Sequence, residues 1–221
     1  MFRRFYAPIT LCVAALVSAL LYSVFLRVPN DEWLGPIQRI LYFHVGSALA
    51  AYVAIFAVFV GALVHLATRE PWCDALMEAG GELALLFCSI VLATGMIWGY
   101  TAWNTPFSFE PRLVTFLLLW FIFLSFNLLR IFGDRTRLAN HSAVLGIIGT
   151  LTVPLVIYSI DFTQVQLHPK VIGKGGVKDP LMSETLRFGM ITLILFQLFL
   201  LWFRTKIALL HKRLDERGDH D

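Results

Sequence analysis

The chain has 221 residues, of which 58% are apolar and 15% charged, with a formal net charge of +3 and a mean hydropathy of +0.73. A soluble domain carries roughly 25% charged residues, so this composition cannot clothe a water-facing surface. It excludes a disordered chain, a disulfide scaffold and a nucleic-acid-binding domain, and the length allows one or two domains.

Crossing the hydrocarbon core takes about 20 apolar residues in a helix, and lipid admits only helices or closed barrels. Alternating apolar–polar strands are absent, so the expectation is an all-α, polytopic membrane protein. Residues 7–26 are free of charge and form the first span. Arg3 and Arg4 in front of it raise the alternative of a cleaved signal peptide, whose apolar region is usually shorter, about 7–15 residues. The second span is 40–67, the third 83–98, the fourth 113–132, the fifth 142–160 with Pro154 inside, and the sixth 188–203. The third and sixth are short, and flanking Trp and Arg can extend them into the interface. Residues 204–221 are a charged tail able to continue the sixth helix into water.

Six spans put both termini on one face. That face collects eleven of the 18 Lys and Arg residues, which predicts cytoplasmic termini; Lys170, Lys174 and Lys178 in the loop after the fifth span pull the other way. Gly173, Gly175 and Gly176 in that loop lack the strand–turn–helix setting of a phosphate loop.

Topology sorts the six histidines. His44 lies at the outer end of the second span, and His65 follows 21 residues later, about 31 Å along a helix, at the opposite face. His141, His211 and His220 belong to the inner side. His168 lies in the outer loop after the fifth span, so only His44 and His168 share a face. Ionisable groups near membrane depth are costly and mark function by default. Two imidazoles from different segments can clamp one iron, as haem axial ligands do. Zinc fits less well, because Cys12, Cys73 and Cys88 offer no ligand spacing. With neither C-x-x-C nor C-x-x-C-H, the chain carries no covalent c-type haem and no thioredoxin-like centre.

The same outer face holds the run from Trp98 to Arg112, with five aromatics between Trp98 and Phe109. An interfacial aromatic belt accounts for Trp98 and Trp103. It accounts less well for an aromatic run broken by Pro106 and Pro111, which suits a flat apolar macrocycle, with Arg112 as a cation for its propionates or as a snorkelling residue. Pro154 should bend the fifth helix, which either re-aims the loop bearing His168 or is a packing kink.

These residues resemble a known family. Tyr42-Phe43-His44-Val45 looks like a Y-x-H-V motif opening the second span. The run from Val153 to Asp161, followed by Leu167-His168-Pro169, looks like the family's fifth span and second histidine. Trp98-Gly99, Trp103 and Arg112-Leu113 look like the ends of its tryptophan-rich loop, and Asp179-Pro180-Leu181-Met182 precedes the sixth span. The family is the cytochrome c maturation protein C (CcmC, haem exporter protein C) group, and the resemblance covers roughly residues 35–205.

The resemblance implies a haem b held non-covalently at the outer face of the bacterial inner membrane, with His44 and His168 as axial ligands and Trp98, Trp103, Phe107, Phe109 and Arg112 forming the cleft. It implies delivery to a CcmE-like haem chaperone for assembly of c-type cytochromes. The implied partners are CcmA-like and CcmB-like ABC-transporter subunits, a CcmD-like small membrane protein and the lipid bilayer, without nucleic acid. It implies a delivery factor rather than a conventional enzyme. The family loop reads close to W-G-x-W-W-x-W-D-x-R-L, whereas residues 104–113 here read Asn-Thr-Pro-Phe-Ser-Phe-Glu-Pro-Arg-Leu. Phe in place of Trp keeps a stacking face and loses the indole N–H donor. The competing readings are a membrane b-type cytochrome that carries electrons, and a transporter or assembly subunit without haem.

Overall fold

A computed structural model describes residues 3–133, 138–159 and 177–218, with side chains described for 6–133, 138–159 and 177–214. His168, the run from Asp161 to Pro169, and Lys170 and Lys174 lie outside the described residues. Within them are six helices long and apolar enough to cross a membrane, and no β-strand. They are α1 (Arg3–Tyr22), α2 (Ile40–Thr68), α3 (Pro71–Trp103), α4 (Pro111–Phe132), α5 (Leu138–Tyr158) and α6 (Pro180–Gly218). A wide π turn (Ser23–Arg27) ends α1, and one 3-10 turn (Pro36–Arg39) leads into α2.

The centre of the bundle is the α2–α3 hairpin. Only Arg69 and Glu70 separate the two helices. Arg69 takes a left-handed conformation and donates its N–H to the His65 carbonyl, which closes α2. Pro71 then starts α3, where its missing N–H costs nothing. The helices approach closely because small residues line the seam: Gly61 of α2 lies against Cys73 and Met77 of α3, and Gly80 of α3 against Ala54 and Val58 of α2. At Gly80 a Cβ would fall 3.1 Å from the Ala54 carbonyl oxygen and 2.8 Å from Val58 Cγ2. In lipid, such small-residue contacts replace the hydrophobic drive of soluble cores. Helix α6 runs beside α2 in the same direction, with Gly189 against Tyr42 and Gly46 against Leu193.

Helices α3 and α6 are 33 and 39 residues long, about 50 and 58 Å, against a hydrocarbon core of roughly 30 Å. Their apolar stretches are short because their termini-side turns carry charge, and that charge is paired. Asp74, Glu78 and Glu82 recur every four residues on one face of α3. Arg130 of α4 donates to Asp74 at 2.8 Å and to Glu78 at 3.0 Å. Arg204 of α6 donates to Glu78 at 2.8 Å and to Glu82 at 2.6 Å, and Lys212 pairs with the second oxygen of Asp74. The result is an alternating chain of six charges, Lys212–Asp74–Arg130–Glu78–Arg204–Glu82, that stitches α4 and α6 to α3. A cavity of about 260 Å³ adjoins it, lined by Glu78, Glu82, Asn127, Arg130, Ile131 and Leu138.

Candidate functional site

The opposite end of the bundle, away from the termini, gathers the first turns of α2, the last turns of α3 and the start of α4. In the sequence Tyr42-Phe43-His44-Val45 the helical period divides the motif between two faces. Tyr42 and Val45 are buried with Leu20, Val24 and Leu186 against α1 and α6, and the Tyr42 hydroxyl accepts from Gln38 Nε2 at 2.6 Å. His44 points the other way, toward α3.

There His44 meets two adjacent residues of one helical turn. Its Nδ1 lies 2.9 Å from Thr94 Oγ1, and Gly95 faces its edge, where a Cβ would come 3.2 Å from Cε1. Thr94 in turn donates to the Ile90 carbonyl at 2.6 Å. The half-buried Arg112 stands in the first turn of α4, at this same end of the bundle.

Three residues beyond Gly95, on the same side of α3, stands Trp98. It is buried and tilts against Trp103, with ring centroids 5.4 Å apart. The run from Trp98 to Arg112 is not one long loop. Nothing breaks the helix before Asn104, which takes the left-handed cap position at φ 54°, so Trp98 and Trp103 are helical. Only 104–110 is loop, and Pro111 opens α4. The loop folds back over the end of α3, because a Cβ at Gly99 would meet the Thr105 carbonyl at 3.0 Å. Within it Phe107 and Phe109 pack edge to face at 5.3 Å, and Phe109 is 88% exposed.

His44, Trp98, Trp103 and Arg112 are therefore set around one end of α3, with the Phe107–Phe109 pair in the loop that follows; His168 lies outside the described residues. His65 sits at the other end of α2, beside Asn140 and Arg69. Helix α5 runs through Pro154 to Tyr158. Among the described residues no three His, Cys, Asp or Glu side chains converge as a metal site. Sequence reasoning passed over Thr94 and Gly95, whose only signal is a small pair four residues before Trp98. It also passed over the six-charge chain, whose signal is the four-residue repeat of acids opening a membrane helix.

The profile of the CcmC family, described as heme exporter protein C, matches residues 1–218. Among curated relatives, heme exporter protein C of Escherichia coli K12 is 28% identical over 188 residues, covering 84% of this chain and 76% of that protein. Heme exporter protein C of Bradyrhizobium diazoefficiens is 27% identical over 149 residues, covering 67% of this chain and 57% of the relative. A putative cytochrome c biosynthesis ccmC-like mitochondrial protein of Marchantia polymorpha is 25% identical over 175 residues, covering 79% and 74%.

Proposed function

The chain belongs to the heme exporter protein C family, and on that premise we propose that it binds haem b at the outer face of the bacterial inner membrane and delivers it to a CcmE-like chaperone during assembly of c-type cytochromes. His44 and His168 are the axial ligands of the iron, and Trp98, Trp103, Phe107, Phe109 and Arg112 hold the ring and its carboxylates. CcmA-like and CcmB-like transporter subunits and a CcmD-like small protein complete the assembly, and the termini lie in the cytoplasm.

One observation carries this reading. A seated imidazole, a half-buried arginine and a tryptophan pair whose first ring is buried lie around the same helix end. The described half of the site suits haem: His44 supplies a nitrogen donor, Arg112 a partner for a propionate, and the indoles an apolar stacking face. The glycine at 95 keeps the ring edge clear of a side chain. Haem is the cargo and supplies the iron that the imidazoles bind. The protein's part is to hold the macrocycle near the chaperone, so that proximity rather than a nucleophile of its own promotes transfer.

The test is the visible spectrum of the chain purified in detergent, for the wild type and for His44→Ala and His168→Ala. Haem absorption in the wild type, lost or shifted to a changed ligand signature in each variant, is expected. A wild type without haem absorption refutes the reading. Haem that is bound stably and never passes to the chaperone points to an electron carrier instead.

A further inference from the structure

The contact between His44 and Thr94 specifies more than position. A threonine hydroxyl has one proton and two lone pairs. Thr94 directs its proton to the Ile90 carbonyl at 2.6 Å, an i–4 bond common for Thr inside helices. The 2.9 Å contact with His44 must then run from the imidazole, with Nδ1–H as donor and Oγ1 as acceptor. The Val91 carbonyl, 3.2 Å from the same hydroxyl, can also only accept and so draws that proton in the same sense. A neutral imidazole has a single N–H, so its lone pair is on Nε2.

We propose that Thr94 is a positioning residue for the iron ligand: its hydroxyl holds His44 in the Nδ1–H tautomer and presents Nε2 to the iron, while Gly95 leaves the space in which the ring lies against α3. This rests on the haem-binding reading of His44. The arrangement follows the general pattern in which a ligating histidine donates its other N–H to a fixed acceptor, and loss of such an acceptor weakens metal affinity by about 10–100-fold. Helices α2 and α3 supply the two halves. The ligand's orientation is therefore set by the packing of the hairpin before any haem arrives, which reduces the ordering cost of binding.

The experiment uses the full chain in detergent and two readouts. The first is haem affinity from titration of the haem-free protein. The second is the imidazole 15N spectrum of the haem-free, histidine-labelled protein, with the His44 signals assigned by their loss in His44→Gln. Thr94→Val keeps the shape and removes the acceptor. It should weaken haem binding about tenfold or more and move the His44 nitrogens toward a mixture of tautomers. Thr94→Ser should match the wild type in both. Gly95→Ala, with its Cβ 3.2 Å from Cε1, should shift the same signals by displacing the ring.

A wild-type His44 in the Nε2–H tautomer overturns the proposal. So does a Thr94→Val variant that matches the wild type in both readouts while His44→Ala abolishes haem binding, an outcome that leaves the haem reading standing. Conversely, a wild type that binds no haem but shows the Nδ1–H tautomer, disturbed by Thr94→Val, refutes the haem reading and upholds the role of Thr94 in seating the ring.

Discussion

Arg130→Gln removes the central cation of the six-charge chain. The Arg130 side chain is 7% exposed and donates to Asp74 at 2.8 Å, to Glu78 at 3.0 Å and to Ser142 Oγ at 3.3 Å. Glutamine reaches less far and carries no charge, so two half-buried carboxylates lose a shared counter-ion. Removing one partner from a buried pair costs about 3–5 kcal/mol. Here Asp74 keeps Lys212 and Glu78 keeps Arg204, so the loss should fall at the lower end, about 3 kcal/mol. The comparison is Arg69→Gln, whose exposed guanidinium reaches Asn140 at 3.3 Å and whose loss should cost less than about 1 kcal/mol. Reversible unfolding in mixed detergent reads both. A cycle with Glu78→Gln supplies the second check, because removing an acid together with the cation should cost less than the sum of the single changes. An Arg130→Gln variant as stable as Arg69→Gln, or an additive cycle, would refute the argument that α3, α4 and α6 are held together by charge.

Two further outcomes follow from the packing and the loop. Gly80→Ala should destabilise by about 1–3 kcal/mol in the same unfolding assay, since the added carbon meets the Ala54 carbonyl, which is backbone and cannot retreat; an unchanged midpoint would show that the α2–α3 seam is looser than described. Phe107→Ala with Phe109→Ala should lower haem retention on purification more than Trp33→Ala or Trp202→Ala does, because Trp33 is 93% exposed and Trp202 stacks on Tyr6 at 4.9 Å beside the termini-side half of the bundle. Equal losses in the two sets would make the Phe pair ordinary belt residues.

The legible part of the site was its donor and its neighbourhood. His44 stood out because an imidazole in an apolar span is rare and expensive, and the run from Trp98 to Arg112 because aromatics crowd there. The division of that run was less visible: Trp98 and Trp103 belong to α3, since aromatic residues continue a helix until Asn104 caps it. Thr94 gave no signal, because a threonine in a membrane helix commonly bonds its own backbone, as Thr101 and Thr115 do here. Its meaning comes from the ring 50 positions away that it meets.

Taken alone, the sequence determined the six helices long and apolar enough to cross a membrane that the described residues contain, and it set a histidine at one end of the second. Each of those properties is local: lipid penalises every exposed polar group where it stands, so a window of about 20 residues suffices to read it. Only the tertiary structure decided how the exceptions are reconciled. The acids of α3 find their cations 52 to 138 residues along the chain, and the shortness of two spans becomes a single shared feature. The tautomer of His44 is likewise a property of the α2–α3 contact. Charge pairing and proton placement depend on distances of about 3 Å between side chains, and those distances exist only once the helices have packed.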